Sequence, residues 1–321
     1  MARWSAAALA LSACLAAAAS PAQASETARD LLQRMSQALT NSSYVGEFRL
    51  EGRGYAERMR IVHCVRDGAV SERLVSLSGP GRELIRRGDE VTAYLPDKQI
   101  AVIERRPGRG ALLGTLPRFD GDIEHWYELE LAGRLPAVNG RPAAVVEVRP
   151  RDGYRFGHRL WIDEETGMPV QTELLDADGR TLERLRFTQL EIREDIADSS
   201  LEPGVDPARF RWVRQAAHEQ VGGSAWQVRR PPPGFRISAS SVRDMAGVPS
   251  PVSQLVLSDG LASVSVFIHA PAGDEPPPQG PGRAGGSATF TALVDGQHVT
   301  AVGEVPPRTL KAIVDSVARR E

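Results

Sequence analysis

Along residues 155–193 the apolar positions recur every second residue and are interrupted twice by turn residues. Leu160 and Ile162 lead into a polar turn containing Gly167, Val170, Thr172 and Leu174 share one face of the next segment, and Asp178-Gly179 closes a second hairpin. A period of two bounded by such turns predicts three consecutive antiparallel strands. Leu185 and Phe187 lie in one phase but Leu190 and Ile192 in the other, so a bulge or a change of covered face is expected between them.

Upstream the period is first helical. Ser25 is placed to cap a helix in which Ala28, Leu31, Leu32, Met35, Ala38 and Leu39 form one apolar stripe ending near Asn41. Tyr44, Gly46, Phe48 and Leu50 then alternate with Val45, Glu47, Arg49 and Glu51, as on a strand with one covered face. From there to about Ile192 short strands are punctuated by Asp67-Gly68, Gly79-Pro80-Gly81, Gly88-Asp89, Pro96-Asp97, Asn139-Gly140, Asp152-Gly153 and Asp178-Gly179. Tyr127, Leu129 and Leu131 alternate with Glu128 and Glu130. This predicts one long up-and-down sheet whose curl leaves a concave side to be filled by helices or a ligand. Residues 105–126 contain leucines without strand alternation and read as a loop with short helical turns over the open side, either plugging the core or covering an apolar pocket.

Residues 194–224 lose the alternation and read as a linker, with room for a helical turn in 208–219. Beyond them come strands near 235–240, 255–257, 264–268, 290–293 and 299–305. Residues 271–287 are too rich in proline and glycine for a packed element and read as a loop. Pro307 opens a last helix with Leu310, Ile313, Val314 and Val317 on one face. The fold class is therefore α+β: a curled antiparallel sheet with covering helices, then a smaller α+β domain. The expected division is 1–24, 25–203, a linker at 204–224, and 225–321.

Composition changes this picture little. With 321 residues, 41% hydrophobic and 25% charged, the chain has material for two packed domains and is not a disordered one. A net charge of −2 gives no reason to expect nucleic acid or an anionic membrane surface. The only lysines are Lys98 and Lys311, and the arginine bias reads as composition before anion recognition.

Arg3, the alanine- and leucine-rich run after it and Ala22-Gln23-Ala24 before Ser25 form a secretory signal cleaved after Ala24, which predicts a soluble periplasmic protein. Leu11-Ser12-Ala13-Cys14 resembles a lipid-attachment box with only a short apolar run ahead of it. Cleavage leaves Cys64 alone, a small buried strand residue without a disulfide partner.

No catalytic site, metal site or cofactor is expected. Gly280-Pro281-Gly282-Arg283-Ala284-Gly285 fits the dinucleotide pattern but follows a proline run and opens no helix. His218-Glu219 lacks a second histidine four residues on, and there is no G-x-S-x-G elbow. The other histidines are scattered, and Asp152, Asp163, Asp176 and Asp178 stand where turns use them.

Asp152-Gly153-Tyr154-Arg155-Phe156, Leu160-Trp161-Ile162-Asp163, Thr166-Gly167-Met168-Pro169 and the run from Leu174 to Glu183 together resemble the MucB/RseB family of periplasmic sigma-factor regulators. Gly79-Pro80-Gly81-Arg82-Glu83, Ser258-Asp259-Gly260-Leu261 and Gly303-Glu304-Val305-Pro306-Pro307 extend the likeness over nearly the whole mature chain. The W-x-D…T-x-x-P section alone is similar to the LolA/LolB lipoprotein carriers, which have no counterpart of residues 225–321.

The resemblance implies an incomplete β-barrel that accepts acyl chains, and binding to the periplasmic part of a membrane-spanning anti-sigma factor. It further implies shielding of that factor from regulated proteolysis, and release by a lipid or lipopolysaccharide-type signal of envelope damage. A lipoprotein carrier is the alternative, and a second copy of the chain, in a homo-oligomer, is a further candidate partner. The acyl pocket is expected among Tyr44, Phe48, Leu50, Leu112, Leu113, Trp126 and Leu129. The partner surface is expected at Trp226, Arg229, Arg230 and Phe235 around Pro231-Pro232-Pro233, with Trp226 and Phe235 also suited to seeding the domain's own core.

Overall fold

The computed structural model describes residues 21–79, 81–105, 112, 119, 123–136, 142–214, 224–243, 245, 248, 250–271, 279–284 and 287–320. Most of the expected signal segment with Arg3 and Cys14, the Asn139-Gly140 turn, Leu113, and parts of the expected linker and proline-rich loop lie outside the described residues.

The first half contains α1 (Pro21–Asn41), β1 (Tyr44–Gly52), β2 (Tyr55–Arg66), β3 (Ala69–Ser76), β4 (Glu83–Arg87), β5 (Glu90–Leu95) and β6 (Ile100–Arg105). It continues with β7 (Tyr127–Pro136), β8 (Pro142–Pro150), β9 (Gly157–Asp163), β10 (Pro169–Leu175), β11 (Thr181–Ile192) and β12 (Arg211–Arg214). These strands form one 12-stranded sheet in the order β12-β6-β5-β4-β3-β2-β1-β11-β10-β9-β8-β7. The first and last long strands, β1 and β11, meet in the middle. β6 and β7 follow one another in the chain yet sit near opposite ends of the sheet.

The expected three-stranded meander is β9-β10-β11, each pair antiparallel. Its phase change is a bulge: Glu47 pairs with Gln189 and Phe48 with Phe187, which leaves Thr188 as the extra residue. The Thr188 hydroxyl donates to the Glu47 carbonyl at 3.1 Å, and Phe187 and Leu190 both reach the core. The stripe on α1 is buried throughout, with Ala28 and Met35 at 0% exposure, and the helix lies on β7 and β8. Ser25, expected as the helix cap, lies within α1.

The second half contains β13 (Trp226–Val228), β14 (Arg236–Arg243), β15 (Val252–Ser258), β16 (Ser263–His269), β17 (Gly280–Ala284), β18 (Ser287–Val294), β19 (Gln297–Gly303), α2 (Pro307–Asp315) and β20 (Val317–Arg319). Six strands form a sheet in the order β14-β15-β16-β19-β18-β17, and β13 pairs with β20. Leu310, Ile313 and Val314 of α2 pack on Leu255, Leu257, Val264, Val266, Val299 and Ala301.

Three local expectations are revised. Val317 lies on β20 opposite Val228, because the helix ends at Asp315. Residues 280–284 are an edge strand paired with β18, where Pro281 needs no partner on its outer side. Within the expected linker, 211–214 adds β12 in parallel beside β6, and Phe210 and Trp212 pack edge-on against Tyr94 at 5.3 and 5.8 Å.

Candidate functional site

The concave face is built by alternation. In-phase residues of neighbouring strands, among them Tyr44, Phe48, Ile61, Leu74, Leu129, Val146, Leu160 and Phe187, meet the stripe of α1 in one buried cluster. Gly46 belongs to this face, and a Cβ there would stand 2.7 Å from the Phe187 ring, so the missing side chain lets Phe187 lie across β1. Of the expected pocket residues, Tyr44, Phe48 and Leu129 are inside the cluster and Leu50, Leu112 and Trp126 pack at its margin. Leu113 lies outside the described residues. The structure therefore brings the six described ones together, with helix α1 occupying the face they form.

A polar row that sequence reading missed crosses the same side. Tyr44, His63, Glu72 and Arg86 are register partners on β1, β2, β3 and β4. The Tyr44 and His63 rings stack at 4.8 Å, His63 Nδ1 is 2.8 Å from Glu72 Oε1, and the Leu112 N–H donates to Glu72 Oε2 at 3.0 Å. His63, Glu72 and Arg86 are all buried. The phase of His63 with Ile61 was a legible sign of burial; its pairing with Glu72 depends on strand register and was not.

The second feature is the seam between the two sheets. Arg155, at the mouth of β9, is fully buried. Its Nε donates to Asp259 Oδ2 at 2.5 Å and its Nη1 to Asp152 Oδ2 at 2.5 Å, while Nη2 donates to the Pro233 carbonyl. The guanidinium lies 4.9 Å from the Trp126 ring centre and 5.0 Å from that of Phe235. Tyr127 Oη donates to Asp259 Oδ2 at 3.0 Å, and burial, followed by the nearby carboxylate, pushes the phenol well above its ordinary range. Thr309 Oγ1 of α2 donates to the Tyr154 carbonyl at 2.7 Å, and Leu261 packs on the first core. Asp152, Arg155 and Asp259 all sit in motifs visible in the sequence, but nothing local shows that they meet.

Of the expected partner residues, Trp226 is 5% and Phe235 2% exposed, both inside the second core, whereas Arg229 and Arg230 are exposed. Arg319 lies over the Trp226 ring at 5.1 Å. Among the described residues no group of three or more His, Cys, Asp or Glu is placed to hold a metal ion, and Cys64 is a buried free thiol.

Comparison with known proteins agrees with this organisation. Residues 27–205 match the model of the MucB/RseB N-terminal domain, and residues 220–318 that of the MucB/RseB C-terminal domain. The chain is 36% identical over 306 residues, 92% of each chain, to the sigma factor AlgU regulatory protein MucB of Pseudomonas aeruginosa. It is 27% identical over 297 residues, 92% of each chain, to the sigma-E factor regulatory protein RseB of Escherichia coli. Among solved structures, the Pseudomonas aeruginosa MucA/MucB complex matches with a TM-score of 0.70 at 32% identity, covering 92% of this chain and 99% of that one. MucB in complex with MucA(peri) matches with a TM-score of 0.68 at 32% identity and the same coverage. With both of its halves matched, the chain belongs to the MucB/RseB family of sigma-factor regulatory proteins.

Proposed function

We propose that this chain is exported to the periplasm and there binds the periplasmic part of a membrane-spanning anti-sigma factor. By shielding that factor from proteolysis it restrains envelope-stress signalling. The observation that carries this reading is the near full-length match, across both sheets, to MucB, whose structures include complexes with MucA. The working division is a signal at 1–24, a lipid-sensing domain at 25–203, a linker at 204–224 and a partner-binding domain at 225–321. Arg229 and Arg230 are exposed beside a stiff proline run and supply planar donors for carbonyls or carboxylates on the partner.

The release signal in this reading is an acyl chain of a lipid or lipopolysaccharide-type molecule entering the face lined by Tyr44, Phe48, Leu50, Leu112, Trp126 and Leu129. α1 occupies that face and Leu112 packs at its margin, so entry has to displace one of them, and Trp126 stands at the same margin to report it.

Titration calorimetry of the mature chain with the periplasmic domain of Pseudomonas aeruginosa MucA tests the first claim. Saturable 1:1 binding supports it, and no heat at high micromolar concentrations overturns it. Titrating the complex with lipopolysaccharide tests the second. Release with a change in tryptophan emission, abolished by Leu112→Asp, supports the site, and release unaffected by that substitution removes it.

A further inference from the structure

Arg229 and Arg230 occupy a short strap held at both ends. At one end the Arg229 N–H donates to the Ser316 carbonyl at 2.8 Å, fixing it to the segment between α2 and β20. At the other end the Pro233 carbonyl accepts from Arg155 Nη2 and the Phe235 ring packs under the same guanidinium. Between the anchors run Pro231, Pro232 and Pro233, whose rings restrict the backbone to one φ region. Gly234 closes the strap at φ +84, and a Cβ there would lie 2.5 Å from Trp126 and 2.6 Å from Arg155. Trp126 and Arg155, in the segments leading into β7 and β9, thus grip the strap tightly enough to exclude a methyl group.

We propose that Arg155 is a positioning residue for partner binding: wholly buried at the seam, it holds the 231–235 strap against the first sheet and so sets where Arg229 and Arg230 stand. This rests on the reading that these two arginines engage an anti-sigma segment. Arg155 itself touches no partner, since its side chain is 0% exposed. Its three acceptors, Asp259, Asp152 and the Pro233 carbonyl, lie in different directions around one planar group, and Trp126 and Phe235 flank it. Lysine offers one compact charge and no plane to stack, so it cannot replace that set. Asp259 is fixed in turn, with Oδ1 accepting from the Leu261 and Ala262 N–H groups at 2.9 and 2.7 Å. The connection therefore runs by hydrogen bonds from the turn before β9 through Arg155 to the Pro233 carbonyl, and from there along the stiff proline backbone to Arg230.

The test uses the full mature chain and the periplasmic domain of Pseudomonas aeruginosa MucA as probe. Arg155→Met is combined with Asp259→Asn so that no lone charge stays buried. The expected result is a loss of affinity of roughly ten-fold or more, not rescued by Arg155→Lys. In a background of Arg229→Ala and Arg230→Ala the same pair is expected to cost nothing further, because the route runs through those arginines. Multiplying effects, or full affinity in the Arg155→Met pair, overturns the proposal.

Hydrogen exchange of the free protein is read in parallel, and it decides the positioning role even if the unsubstituted chain fails to bind the probe. Faster exchange at Arg230, Gly234 and Phe235 with β15, β16 and β19 unchanged supports it; unchanged exchange at those three overturns it. If the pair fails to fold, Arg155→Lys replaces it with the same outcomes expected, because lysine keeps a charge beside Asp259 but cannot hold Asp259, Asp152 and the Pro233 carbonyl together.

Discussion

Two positions concentrate the consequences that one residue has for this molecule. Gly234 has φ +84 and sits against Trp126 and Arg155, so Gly234→Ala adds backbone strain and a clash together. The expected cost is about 2 kcal/mol or more, read from denaturant unfolding, with Gly179→Ala, which meets no neighbour, as the milder comparison. Glu72 is the other: fully buried, it serves His63, Arg86 and the Leu112 N–H at once. Glu72→Ala is expected to cost about 3 kcal/mol, because cationic and donor groups that remain buried lose their acceptor. Urea midpoints check the loss, and faster exchange at the Leu112 amide locates it. Both residues are unremarkable in the sequence, one a glycine after prolines and the other a glutamate between serine and arginine.

At the scale of the element, α1 and the bulge in β11 carry the first core. Met35 is at 0% exposure in the middle of the helix stripe, so Met35→Ala is expected to cost about 2 to 5 kcal/mol, against less than about 0.5 kcal/mol for Gln37→Ala on the exposed side. Thermal unfolding of the two variants separates the faces. Deleting Thr188 removes the extra residue of the bulge and leaves Phe187 and Leu190 two positions apart, facing inward together on a regular strand. The pairing on either side is then continuous, so the loss is expected to stay below about 2 kcal/mol, the worth of one buried leucine, in the same thermal unfolding measurement. β12 shows the limit of pattern reading: Arg211-Trp212-Val213-Arg214 has neither the alternation of a half-buried strand nor a turn beside it, and only the free edge of β6 makes it one.

For the whole molecule, the seam between the sheets carries a pH response. Burial, with Glu183 of the first sheet as the next cause, raises the Glu304 carboxyl from 4.5 to about 7, and burial raises Glu183 as well. Tyr55 of β2 donates to Glu183, and Tyr55 in turn faces Glu304 and Arg283. A carboxyl whose folded-state value is raised holds its proton better in the folded protein. Its stabilising contribution is complete below about 4.5 and is lost as pH rises through about 7. His158 opposes it in acid: burial lowers its value from 6.5 to about 4, so the stability tied to neutral His158 is lost as pH falls through that range. Glu304→Gln is expected to flatten the decline between pH 5 and pH 8 by about 1 to 2 kcal/mol after solvent screening is allowed for. Melting temperatures measured at intervals across that range check it, and an unchanged slope would remove Glu304 as the cause.

The sequence by itself determined what local periodicity and turn chemistry can determine. The helix stripe from Ala28 to Leu39, the meander with a phase break between Phe187 and Leu190, the long antiparallel sheet and the smaller second sheet all follow from spacings of two or three to four residues. The family was legible too, because the motifs around Arg155, Trp161 and Asp259 survive as short runs. The tertiary structure alone decided which of those runs touch. Arg155 and Asp259 are separated by 104 positions, and Glu72 reaches Leu112 across 40. No periodicity spans such distances; only strand order and register bring the side chains together. For the same reason Trp226 and Phe235 lie in the core while Arg229 and Arg230 between them face outward. Their spacing along the chain is equally short, and only the packing of β13 against β20 and of the strap against Arg155 tells them apart.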